Sequence, residues 1–348
     1  LYFLIVSMVF ILLILVFTGI KGNLMDFINK YSHKMLLFQL NILYLLSMCI
    51  GNSILLLDTF YYISTLYTVQ LLLCTVILLS FFTLINCFGM KNSIFIERIC
   101  GVMKFSPLII IMLGLLVLPH HQINSITPCL SDFSIVGVQS IWCFVGIETI
   151  IMIAPSIKKQ FKLDIMLGFI TVVLFYIIFY IGIIKLDPNF SITSVINISE
   201  RLFKTKLIGI FSILFICLSS LNTWILSTGL YIYENSQIGV FPTFLSKVNK
   251  YNSPYLSIIC GSIVSLLFIY INMYQSGILT YLITVASQCV LLYYAYILIL
   301  NFIIYKSYIS ILLCILFTYL TFSVYSFHII ILLIATIPIY FLKNIFLF

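Results

Sequence analysis

Glu148 stands in the middle of "SIWCFVGIETIIMIAPSIKK", residues 140–159, an apolar run with no Lys or Arg before Lys158. If the run crosses a bilayer, its centre is a costly place for an ionised carboxylate, roughly 2.5–3.5 kcal/mol on insertion scales. Acids in such positions mark paths for protons, ions or charged solutes, and Glu148 reads as a gating or coupling group. The blander reading is a packing carboxylate hydrogen-bonded to a neighbouring helix. Gly146 lies two residues earlier, and a glycine beside a midplane carboxylate suits a helix that breaks and turns freed backbone groups toward a cavity.

Two indoles accompany the carboxylate. Trp142 and Trp224 are the chain's two tryptophans, although aromatic residues make up 16% of it. Tryptophan normally populates the membrane interface. Trp142, however, precedes Glu148 by less than two helical turns, and Trp224 sits between "SSLN" and "ILSTG", small and polar residues of the kind that line a cavity. An indole face there would bind an organic cation, an interaction of about 0.5–2 kcal/mol. A third constellation, "NILYLLSMCIGN", places Ser47 and Gly51 on one face with Asn52 beside them. Close helix packing with Asn as interhelical glue explains that pattern equally well.

The elements that must hold these groups follow from bulk composition. Of 348 residues, 63% are hydrophobic and 7% charged, with a mean hydropathy of +1.26; soluble domains carry about 25% charge. The chain is therefore an all-α, polytopic membrane protein, with the lipid bilayer as its first partner. The ten cysteines form no CxxC pair and have no His at ligand spacing. They read as small buried hydrophobes, and no metal or cofactor is expected. The net charge of +8 is spread over short connections, which argues for topology rather than a nucleic-acid partner.

Eleven apolar runs are legible, near residues 2–20, 36–57, 68–88, 99–118, 133–154, 165–184, 207–233, 255–273, 277–304, 308–324 and 326–347. Connections after the odd-numbered runs, with the C-terminal tail, hold thirteen Lys and Arg; those after the even-numbered runs hold Lys185, Arg201, Lys204 and Lys206. By the positive-inside rule residue 1 faces outside and the C-terminus is cytoplasmic. Of the acids, Asp26, Glu97, Asp132, Asp164, Asp187 and Glu200 fall in connections or at their edges, and Asp58 and Glu234 near helix ends. The connection 185–206 is long enough for a short surface helix. An intramembrane enzyme would need a nucleophile, a His and an acid together, and His120, His121 and His328 lie in or near connections.

The order of motifs, "NILYLLSMCIGN", then "SIWCFVGIETIIMIAPSIKK", then "LSSLNTWILSTGLYIYENSQIGVFPTFLSKVNKYNSPYLSIICG", resembles the basic amino acid/polyamine antiporter family of the amino acid-polyamine-organocation superfamily. Within it, the arginine/agmatine antiporters are most similar. Trp224, Gly229, "GVFP" at 239–242, "KVNK" at 247–250 and Pro254 carry the resemblance most specifically. It implies a five-plus-five inverted-repeat transporter fold of twelve helices forming a single transmembrane domain over 1–348. On that mapping residues 2–20 are the second family helix, about eleven of twelve helices are present, and the Gly/Ser-rich break of the first is expected to be missing. On the same resemblance the chain is expected to be a fragment or the product of a degraded gene.

The same resemblance implies the site. Trp142 would be the gating aromatic stacked over substrate, Glu148 the gate carboxylate, and Trp224 the aromatic beneath the substrate's aliphatic chain. The backbone carbonyls of Trp142 and Val145 would receive the α-amino group, and Gly146 would be a substrate-binding position beside them. Asn52 would be a third-helix contact, Ser47 and Met48 neighbouring lining positions, and Thr284 and Ser287 contacts from the tenth helix. The implied function is exchange of a cationic amino acid, arginine first, for its decarboxylated amine across a bacterial inner membrane, with a homodimer left open. The alternative is a non-transporting relic or amino-acid sensor of the same fold.

Overall fold

The computed structural model describes residues 2–20, 24–64, 70–117, 140–141, 143–146, 161–186, 195–274, 278–323 and 330–339. Helix dominates them because the runs are apolar on every side, and in lipid each backbone N–H and C=O must find its partner within the segment. In order they are α1 (Tyr2–Gly19), α2 (Leu24–Tyr31), α3 (Lys34–Ser64), α4 (Leu71–Cys87), α5 (Met90–Val117), α6 (Phe161–Leu186), α7 (Val195–Phe203), α8 (Leu207–Gln237), α9 (Tyr255–Tyr274), α10 (Ile278–Tyr305) and α11 (Tyr308–Ser323). A further short apolar helix, α12, covers Ile330–Ile339. Among the described residues, six helical stretches are long and apolar enough to cross a membrane: Lys34–Leu57, Phe95–Val117, Leu163–Lys185, Leu207–Gln237, Tyr255–Met273 and Tyr281–Tyr305. The run expected at 133–154 lies mostly outside the described residues.

Helices α3 and α10 bury most of their surface and form the interior, whereas α5 and α6 leave most of theirs to lipid. Helix α8 packs against α3, α4, α5, α7 and α9, so it is the hub that joins interior to periphery. The main core gathers α1, α2, α3, α8, α10 and α11 around stacked aromatics: Tyr44 lies 4.6 Å from Tyr293 and 4.9 Å from Tyr231, centroid to centroid. Such pairs add about 0.5–1.5 kcal/mol beyond their area.

The two short helices are amphipathic. In α2, Leu24, Met25, Phe27 and Ile28 are buried while Asp26 and Lys30 face out. Phe27 stacks on Tyr305 of α10 at 5.9 Å. In the connection expected to hold a surface helix, α7 buries Ile196, Ile198 and Ser199. It lies so close to α8 that a Cβ on Gly209 would sit 2.6 Å from the Cα of Ile196.

One boundary corrects the sequence reading. Glu97, Arg98 and Lys104 belong to α5 rather than to a connection, because the α4–α5 turn is only Phe88 and Gly89. Hydropathy begins the run at 99, but helix continues back through the polar residues to Met90. Glu97 and Lys104 thus fall inside the apolar stretch Phe95–Val117. Gly89 has φ +107°, and a Cβ there would come within 3.1 Å of the Tyr251 carbonyl, so both backbone and space call for glycine.

Candidate functional site

The run that carries Glu148 stops being regular helix before it reaches that residue. Ser140 and Ile141 are helical, Cys143 to Val145 fold back as a turn, and Gly146 adopts φ +109°. Both Phe144 and Val145 donate their N–H groups to the Ile141 carbonyl, at 2.8 and 3.1 Å. A positive φ at this point would strain any residue with a Cβ. Among the described residues a Cβ on Gly146 would meet the Trp224 ring alone, at an ordinary contact distance of 3.8 Å. The turn is anchored by Phe144, 2% exposed, which packs against Phe10 and Phe169, each at 5.2 Å. Trp142 and Glu148 lie outside the described residues.

Trp224 faces this turn from α8. It is half-buried and packs against the main core, as does Val145. The Trp224 carbonyl accepts a 2.7 Å hydrogen bond from Thr228 Oγ1 one turn later. An indole beside a glycine turn of irregular backbone provides an apolar face next to polar main chain, an arrangement suited to a small solute with both a chain and a charge.

The remaining predicted residues are distributed around the interior. Asn52 is fully buried, and its Nδ2 donates to Thr228 Oγ1 and to Ser265 Oγ, both at 3.3 Å, joining α3 to α8 and α9. That is the interhelical arrangement the sequence left open for it, and its Oδ1 has no partner among the described residues. Ser47 Oγ donates to the Tyr44 carbonyl of its own helix at 2.8 Å, and Met48 is 2% exposed within the core. Thr284 and Ser287 are buried on α10, where the Ser287 hydroxyl lacks a partner among the described residues. Gly146 and Trp224 are the predicted pair that the structure brings face to face.

Sequence reasoning missed a polar seam between α5 and α8. Asn222, fully buried two residues before Trp224, donates through Nδ2 to Ser93 O and Ser93 Oγ, both at 3.2 Å. Its Oδ1 accepts from Asn86 Nδ2 of α4 at 3.3 Å. One turn away Ser219 Oγ donates to Glu97 Oε1 at 2.6 Å and accepts from Lys104 Nζ at 2.9 Å, while Lys104 and Glu97 approach to 3.7 Å. The signal was present in "SSLN" and in the i, i+4 spacing of Ser93 and Glu97, but it needed α5 to begin at Met90.

Among the described residues no group of His, Cys, Asp and Glu could hold a metal ion. No curated protein matches the chain. A family model does, over residues 1–347, and its description is amino acid permease. By that match, and with apolar helices that can cross a bilayer, the chain belongs to the amino acid permease family and is a multi-pass membrane transporter of amino acids, not an enzyme.

Proposed function

We propose that this permease is an antiporter that exchanges a cationic amino acid, arginine first, for its decarboxylated amine. The observation that carries the reading is the glycine turn at Gly146 set against Trp224. Trp224 would support the aliphatic chain, and the peptide groups of Val145 and Gly146 would receive the α-amino group. Trp142 would close over the solute, with Glu148 as the gate whose charge answers to proton and cation alike. Ser287, buried with no hydroxyl partner among the described residues, would supply a polar contact from α10 beside Thr284, and Ser47, Met48 and Asn52 would shape the wall on α3. The transporter would sit in a bacterial inner membrane with residue 1 outside and its C-terminus cytoplasmic.

Counterflow tests this. The full-length protein in liposomes loaded with agmatine should drive uptake of labelled arginine well above unloaded vesicles, and leucine inside should not. Uptake of leucine driven by internal leucine, with none for arginine, would make it a neutral amino acid carrier. No exchange of any amino acid by correctly folded protein would favour the sensor or relic.

A further inference from the structure

Trp224 does its proposed work only if α8 presents it to the Gly146 turn, and the apolar part of that helix's packing does little to fix its rotation. Apolar contacts tolerate small rotations because each lost contact is replaced by a similar one; hydrogen bonds do not, since they weaken steeply with angle. Directional contacts cluster immediately before and after Trp224. Asn222 lies about 200° round the helix from Trp224 at 3.6 residues per turn, so it points to the opposite side. There it meets the α4–α5 corner and uses both ends of its amide, donating to Ser93 and accepting from Asn86.

That corner is itself fixed. Asn249 Nδ2 donates to the Cys87 carbonyl at 2.7 Å and Ser253 Oγ to the Asn86 carbonyl at 2.7 Å, so the loop after α8 caps the end of α4. Asn249 Oδ1 meanwhile accepts the N–H groups of Tyr251 and Ser253, holding the loop in shape. After Trp224, Thr228 receives Asn52 from α3. A rotation of about 20° would carry a group roughly 6 Å from the helix axis through about 2 Å, enough to take the indole away from the turn.

We infer that Asn222 is a positioning residue for transport: by joining α8 to the α4–α5 corner it sets the rotation of α8 and so the direction in which Trp224 faces. The inference rests on the proposed role of Trp224, but its primary readout does not require the substrate to be known. In the full-length protein carrying Trp142→Phe, Trp224 is the remaining tryptophan of the chain's two, and its emission and acrylamide quenching report its surroundings. Asn222→Leu, and Asn86→Leu, which leaves α8 unmutated, should each shift the emission maximum and change the quenching constant at least twofold. Asn301→Leu is the control: Asn301 is 4% exposed and accepts from Ser310 Oγ at 2.8 Å, away from this corner. It should lower the melting temperature yet leave Trp224 fluorescence unchanged.

With Trp142 present, Asn222→Leu should raise the KM for arginine exchange at least fivefold with Vmax within twofold. Unchanged fluorescence in both corner variants would overturn the inference, as would an equal shift in Asn301→Leu, which would mean general loosening. If Asn222→Leu does not fold, Asn86→Leu decides by the same readout. If the parent exchanges no arginine, the proposed function fails while the fluorescence comparison still settles the role of Asn222.

Discussion

Lys104 and Glu97 form an ion pair inside an apolar stretch, and breaking it one side at a time should expose how strongly α5 and α8 depend on it. At 3.7 Å, the gross attraction of two unit charges is about 4 kcal/mol at an effective dielectric of roughly 20. The side chains are 23% and 32% exposed, so desolvation and screening remove a large part, leaving a coupling of about 1–2 kcal/mol. Removing a single partner does more harm than losing the pair, because the surviving charge keeps Ser219, and for Lys104 the Phe105 ring at 5.5 Å, but no opposite charge to offset its desolvation. Lys104→Met and Glu97→Gln should each lower stability by about 2–3 kcal/mol, somewhat under the range for fully buried pairs. The double variant should fall short of their sum by the coupling. Reversible unfolding in mixed micelles, titrated with a denaturing detergent, gives the four corners of the cycle. Additivity within about 0.5 kcal/mol would refute the reasoning, since independent sites behave that way.

Gly229→Ala should destabilise by about 1–3 kcal/mol, because the new Cβ would sit 3.0 Å from the Ile258 Cα and force α8 and α9 apart; an unchanged melting temperature would contradict that contact. Gly146→Ala should reduce exchange at least tenfold with a modest loss of stability, since φ +109° is strained for any other residue; exchange at the parent rate would deny the turn a role. Glu148→Gln should preserve folding and flatten the pH dependence of exchange between about pH 5 and 8, as expected of a gate that changes charge. An unaltered profile would make Glu148 a packing carboxylate.

The sequence was most informative where hydropathy and backbone chemistry act locally. Gly146 beside an intramembrane acid suited a departure from regular helix, and the described part of that run does turn at Gly146 with a positive φ. The long connection at 185–206 predicted a surface helix, which is α7. It was least informative about direction. Ser47 and Asn52 lie within two turns of one another, yet Ser47 hydrogen-bonds its own helix while Asn52 reaches two others. A hydroxyl or amide in an apolar run gives the same signal whether it packs, positions or binds. The seam through Asn222, Ser219, Glu97 and Lys104 stayed hidden because a charge beside an apolar run looks like a connection until the helix start is known.

Solute binding at Trp224 is the claim on which the rest depends. In the full-length Trp142→Phe protein, titration with arginine should change Trp224 fluorescence saturably, agmatine should compete, and leucine should do neither. The absence of a saturable change with arginine or agmatine, in protein that still exchanges them, would contradict the account by placing the substrate away from the Gly146 turn.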